Sequence, residues 1–112
     1  MNANVATRVI TLTTKPGKID DAIAEASEFA NLVKDTEPDC LVYSVSKSKP
    51  LMGDGPEQIV IAIVFKDEAA MKAHEQTPHV KARMEAKKGE EFLAGPPDVR
   101  VVVHVGGFTM RG

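Results

Sequence analysis

The first run of the chain, Val5–Thr13 (VATRVITLT), is β-branched and closes at Lys15-Pro16-Gly17, the signature of a strand ending in a turn. The period then changes. Apolar residues at Ile19, Ala22, Ile23, Ala26, Ala30 and Val33 stand at i, i+3, i+4 and i+7, with Asp20, Asp21, Glu25 and Glu28 on the polar side, so this stretch predicts an amphipathic helix. Pro38 biases its predecessor away from the α region and stops the helix by Glu37. CLVYSVSK, from Cys40 to Lys47, predicts strand two, and the Pro- and Gly-bearing stretch from Lys49 to Pro56 predicts a hairpin loop. IVIAIVF, from Ile59 to Phe65, is apolar on both faces, which suits a strand in the middle of a sheet. Asp67 is placed to cap a short helix through His74, and Thr77 to cap a second with Pro78 at its first position. VRVVVHV, from Val99 to Val105, predicts strand four, ended by Gly106 and Gly107.

The order strand, helix, strand, strand, helix pair, strand predicts an α+β fold: a ferredoxin-like antiparallel four-stranded sheet with helices on one face, built as a single domain over residues 1–112. Strand four falls at the sheet edge in that topology. Bare, such an apolar edge is an aggregation template, so a partner is expected to cover it, most simply in a symmetric homodimer. A chain of 112 residues also has a core of modest size that association would support.

Composition narrows the function classes. Fourteen Lys and Arg against 16 Asp and Glu leave a net charge of −2 without a basic cluster, which argues against nucleic acid. No stretch approaches the roughly 20 apolar residues of a membrane span, and the opening MNANVATR lacks a leader's basic and apolar regions. The single Cys40 permits neither an internal disulfide nor a dithiol site. The expectation is a soluble, unexported protein of the cytoplasm.

One stretch, AHEQTPH at Ala73–His79, imitates a zinc motif. The zincin pattern presents histidines at i and i+4 on one helical face, whereas His74 and His79 are five apart with Pro78 breaking the helix between them. No metal site is expected from that spacing.

Four segments, TLTTKPGK, EPDCLVYSV, FKDEAAMKAHEQTPHVKAR and GPPDVRVV, taken in this order and spacing across nearly the whole chain, resemble the antibiotic biosynthesis monooxygenase family. The resemblance implies a dimeric α+β barrel, a homodimer whose sheets pack face to face, with a substrate cavity in each subunit between sheet and helices. Activities in such proteins include cofactor-free oxygenation of phenols and quinols, haem degradation and isomerisation, and the fold does not choose among them. The haem-degrading pattern has an Asn on strand one, a late Trp and a His ligand. Here strand one carries Thr7, Arg8 and Thr11, His74 stands at the Trp position and Met84 near that of the ligand. In the quinol-oxygenase pattern strand three carries a Glu and then a Trp, where this chain has Ile63 and Phe65.

The resemblance therefore implies a monooxygenase without metal or organic cofactor, using O₂ on a small lipophilic phenol, quinol, anthrone or similar enolisable molecule. Alternatives are a non-catalytic small-ligand binding or accessory protein and an isomerase of a small oxygenated metabolite. His74 is the candidate base, since an imidazole accepts a phenolic or enolic proton near neutral pH; in structural terms alone it is a polar residue at a helix end. Tyr43, His79 and Arg83 are candidate polar helpers, and Ile63, Phe65, Met71 and Met84 candidate apolar walls, with ordinary packing or ion pairing as the plainer role of each. His104, in a valine-rich strand, is expected at the interface.

Overall fold

The computed structural model describes residues 5–87 and 90–108. Its elements are β1 (Ala6–Thr13), α1 (Ile19–Thr36), β2 (Cys40–Ser48), β3 (Gln58–Phe65), α2 (Glu68–Glu75), α3 (Pro78–Glu85), a 3-10 turn (Glu90–Phe92) and β4 (Asp98–Val102). The strands form one antiparallel sheet in the order β2-β3-β1-β4. The fold expected from the periodicity is the one observed, with β3 inside the sheet and β4 at an edge.

Local chemistry sets the element boundaries. Pro16 and Gly17 occupy the two centres of a turn closed by Lys18 N–H donating to Lys15 O at 3.1 Å, and Gly17 has φ 77°, a left-handed conformation that suits glycine. Asp67 accepts from Ala70 N–H at 2.7 Å at the start of α2. Thr77 accepts from Val80 N–H at 3.4 Å at the start of α3, with Pro78 at the first helical position. The Thr77 hydroxyl also donates to His74 O at 2.8 Å, so one side chain both ends α2 and begins α3.

Alternation along β3 places Ile59, Ile61, Ile63 and Phe65 against the helices. They join Ala22, Ala26, Phe29 and Val33 of α1, Ala70 and Met71 of α2 and Val80 of α3 in one core. Each large side chain buried there contributes about 1.5–3 kcal/mol. Val60, Ala62 and Val64 point to the opposite face, alongside Val9 of β1 and Val42 of β2. No described helix packs on that face, and Val42 remains 43% exposed. The two-sided apolar run of β3 thus has one face in the core and the other on an uncovered sheet surface.

Strand four is shorter than its composition predicts. Val102 pairs with Thr7, one residue from the start of β1, so Val103 reaches the level of Ala6 without a ladder pair and His104 and Val105 run past the end of β1. Val101, Val103 and Val105 are all exposed, and His104 lies beyond β4 rather than within it.

Candidate functional site

A cavity of about 460 Å³ opens between the helix-bearing face of the sheet and the inner sides of α1 and α3. Its floor is Ile10 and Leu12 of β1 with Ile61 and Ile63 of β3, its sides Phe29 and Val80. Of the residues singled out from sequence, Tyr43, Ile63, Met71, His74, Arg83 and Met84 line it. Met84 stands at the mouth and is 72% exposed. Phe65 is not a wall residue. It is fully buried beneath the His74 ring, with centroids 4.8 Å apart, and supports the imidazole from behind.

His74 is held from outside the cavity. Glu37, the C-cap of α1, has φ −128° and ψ 84°, outside the α region that Pro38 disfavours for it, and its carboxylate meets the junction of α2 and α3. His74 Nδ1 lies 2.8 and 2.9 Å from the two Glu37 oxygens, and His79 Nε2 lies 2.7 Å from Oε2. A carboxylate can only accept, so each of these nitrogens carries the hydrogen and donates. In the neutral ring His74 Nε2 is then the bare, proton-accepting nitrogen. It has no hydrogen-bond partner among the described residues, yet no buried side-chain nitrogen or oxygen among them lacks one. Nε2 is therefore accessible, on a ring that lines the cavity. The His74 and Glu37 side chains are each 9% exposed.

The break between the helices thus does what a continuous helix could not: it turns His79 back toward the carboxylate that already holds His74. The five-residue spacing rules out one helical face, but the junction brings both imidazoles to Glu37, and the three donor atoms lie within 4.8 Å of one another.

A second polar group faces the cavity from the other side. Arg83 donates through Nε and Nη2 to the two Glu25 oxygens at 2.8 and 2.7 Å, a bidentate pair, and its guanidinium carbon lies 4.4 Å from the Phe29 ring centre. Burial by itself pulls the Arg83 pKa down, but the Glu25 hydrogen bond and charge more than offset this and raise it, so the cation persists. Tyr43 packs edge-on to Phe29 at 6.2 Å. Burial pushes its phenol pKa up, against the opposing charge of Arg83, which keeps the hydroxyl protonated as a donor. Arg8, from β1, lines the same cavity and is tied at 2.9 Å to Glu68 of α2.

Three of these groups escaped the sequence reading. Glu37 was visible only as the place where a helix must stop, and Glu25 only as a residue on the polar side of α1. Phe29 did carry a signal: it stands three residues after Ala26 and four before Val33, on the buried stripe.

The profile of the antibiotic biosynthesis monooxygenase family matches residues 6–86. Among solved structures the chain is similar to a candidate antibiotic biosynthesis monooxygenase of Caulobacter crescentus CB15, with 26% identity and a TM-score of 0.76 over 93% of this chain and 92% of that one. A candidate antibiotic biosynthesis monooxygenase of Chloroflexus aurantiacus J-10-fl is similar at 26% identity and a TM-score of 0.66, over 94% and 97% of the two chains. Rv0793 of Mycobacterium tuberculosis shares the fold at 18% identity, with a TM-score of 0.72 over 94% and 99%. No curated protein matches the chain.

Proposed function

The chain belongs to the antibiotic biosynthesis monooxygenase family, and from that membership we propose that it is a monooxygenase needing neither metal nor organic cofactor, with a small lipophilic phenol, hydroquinone or anthrone as substrate and O₂ as co-substrate. The observation that carries this is the bare Nε2 of His74 in an apolar cavity, its ring fixed by Glu37 behind it. The volume falls within the ~300–1,000 Å³ usual for small-molecule sites.

Written for an anthrone methylene, Nε2 takes one C–H proton and leaves the delocalised anion. The anion passes one electron to O₂, and the resulting radical and superoxide combine to form the C–O bond of a peroxide anion. Protonated His74 returns its proton to the outer oxygen. Loss of the second C–H proton then drives cleavage of the O–O bond, and hydroxide leaves with that proton as water. The sum is CH₂ + O₂ → C=O + H₂O, so the substrate supplies every electron. Glu37 keeps Nδ1 protonated throughout and steadies the imidazolium, the Tyr43 hydroxyl is a donor to a substrate oxygen, and the apolar floor excludes water from the anion. A positioned base of this kind contributes ~10²–10⁴-fold in rate.

The assembly that fits this reading is a homodimer joined through the uncovered sheet face, where Val9, Val42, Val60, Ala62 and Val64 stand together. Incubation of metal-free protein with anthrone under ¹⁸O₂ tests the chemistry: one labelled oxygen is expected in the quinone carbonyl. A protein-free control that labels the quinone as fast would mean simple autoxidation, and label confined to hydrogen peroxide, with the coupled bianthrone as product, would mean dehydrogenation without oxygen insertion. A second reading, a small-ligand binding protein, is favoured by Ile63, an apolar side chain at the floor position where a carboxylate would serve catalysis. Saturable anthrone binding without oxygen uptake is its signature.

A further inference from the structure

We infer that Glu37, His74 and His79 form a site for one divalent transition-metal ion, zinc or a similar borderline ion, and that its occupancy silences the cavity-facing nitrogen of His74. The clause on silencing rests on the reading of His74 as a base; the binding itself does not.

Two imidazoles and one carboxylate are the protein ligands of many three-residue zinc sites, with water completing the tetrahedron. Bonds of about 2.0–2.2 Å place tetrahedral ligand atoms roughly 3.4 Å apart. Here each nitrogen stands 2.7–2.9 Å from the carboxylate, a hydrogen-bond distance, and all three donor atoms are within 4.8 Å. Replacing the two shared hydrogens by one cation thus asks the nitrogen–oxygen separations to open by about half an ångström and the two nitrogens, at most 4.8 Å apart, to close by up to about 1.4 Å, which side-chain rotation supplies without a new backbone. The burial also fits: the Glu37 and His74 side chains are 9% exposed, and His79, at 20%, leaves an approach from outside. Among the described residues, binding breaks no hydrogen bond of either ring except those to Glu37. Among the described residues His74 Nε2 and His79 Nδ1 have no hydrogen-bond partner, so each ring can move its hydrogen to that nitrogen and offer the other to the metal.

The position of the site decides its effect. Glu37 and His79 do not line the cavity, so the ion sits behind the imidazole of His74 rather than in contact with a substrate. With Nδ1 on the metal, the ring's hydrogen goes to Nε2, and the cavity then faces a donor where it had an acceptor. The ion is a brake on turnover and not a participant in it.

The test uses the full chain stripped with EDTA and dialysed. Titration with Co²⁺ should give the visible d–d bands of a tetrahedral N/O site at one ion per chain, abolished by one equivalent of Zn²⁺. Glu37→Gln keeps a hydrogen-bonding side chain at that position, and His79→Asn keeps a polar one. Each should weaken zinc binding by more than ~100-fold, beyond the ~10–100-fold that loss of an outer-shell partner costs. His104→Ala should bind as the parent does. Circular dichroism establishes that each variant is folded. Absence of the bands, or binding unchanged in His79→Asn, overturns the site. Zinc-loaded protein that still consumes oxygen at the full rate overturns the silencing. Because binding is read on the metal and turnover on oxygen, a chain that binds zinc but oxidises nothing even when stripped of metal would contradict the proposed function and leave the site standing.

Discussion

Glu37 Oε1 lies 2.8 Å from His74 Nδ1, and this one contact decides which nitrogen of the imidazole carries its proton. Glu37→Gln tests it with little change of shape. The amide can turn its NH₂ toward Nδ1 and stabilise the other tautomer, in which Nε2 is a donor. The expected result is a fall in kcat of ~10²–10⁴-fold with KM and melting temperature nearly unchanged, read by oxygen uptake and thermal denaturation.

Tyr43 can be followed alone, because the chain has one tyrosine and no tryptophan. Its phenolate absorbance should appear only above the ordinary value of 10.0, since burial holds the pKa up. The charge of Arg83 pulls the other way, so Arg83→Leu should move the titration higher still. A wild-type midpoint at or below 10.0 in folded protein would mean that the hydroxyl is not enclosed as described.

The Arg83 and Glu25 side chains are 29% and 19% exposed, so their pairing is part solvated. Arg83→Leu strands the carboxylate beside Phe29 and should cost about 1–3 kcal/mol in urea denaturation, less than a fully buried pair would. The double variant with Glu25→Leu should recover most of that loss, giving a coupling energy of the order expected for contacting residues, roughly 0.5–3 kcal/mol. Strict additivity would show that the two groups do not depend on each other.

The sheet face opposite the cavity gives a prediction about assembly. Val64, near the end of the inner strand β3, pairs with Thr7 and Val42 on that face, opposite the helices. Light scattering should give a dimer for the parent chain and a monomer for Val64→Asp, which places a charge in a joint that excludes water. A monomeric parent would remove the sheet-to-sheet joint from the account.

The fold was readable because each element carried its own local signal. Pro16-Gly17, Pro38, Asp67 and Thr77-Pro78 punctuate the chain, and caps and turns act over a few residues. β4 was overextended because its composition does not reveal where β1 runs out of partners. His74 was readable as a candidate for its residue type and helix-end position. Glu37 was not, since it reaches His74 across 37 residues, and nothing in a helix-stopping Glu-Pro step tells where the carboxylate will point. The same distance hid the donor set: a motif rule tests spacing on one helix, while this cluster draws on three helices or their ends. Glu25 and Arg83, 58 residues apart, were invisible as a pair for that reason too.

Oxygen uptake by EDTA-treated protein, run with a panel of hydroquinones and anthrones for the parent and for His74→Ala, bears most directly on the claim that His74 is the base of a cofactor-free oxygenation. The account predicts substrate-dependent uptake by the parent and its loss by ~10²–10⁴-fold in the variant. The variant should remain dimeric and folded. A His74→Ala protein that consumes oxygen as fast as the parent, or is merely less stable by the ~0.3–1 kcal/mol of a helix-terminal charge, would contradict it.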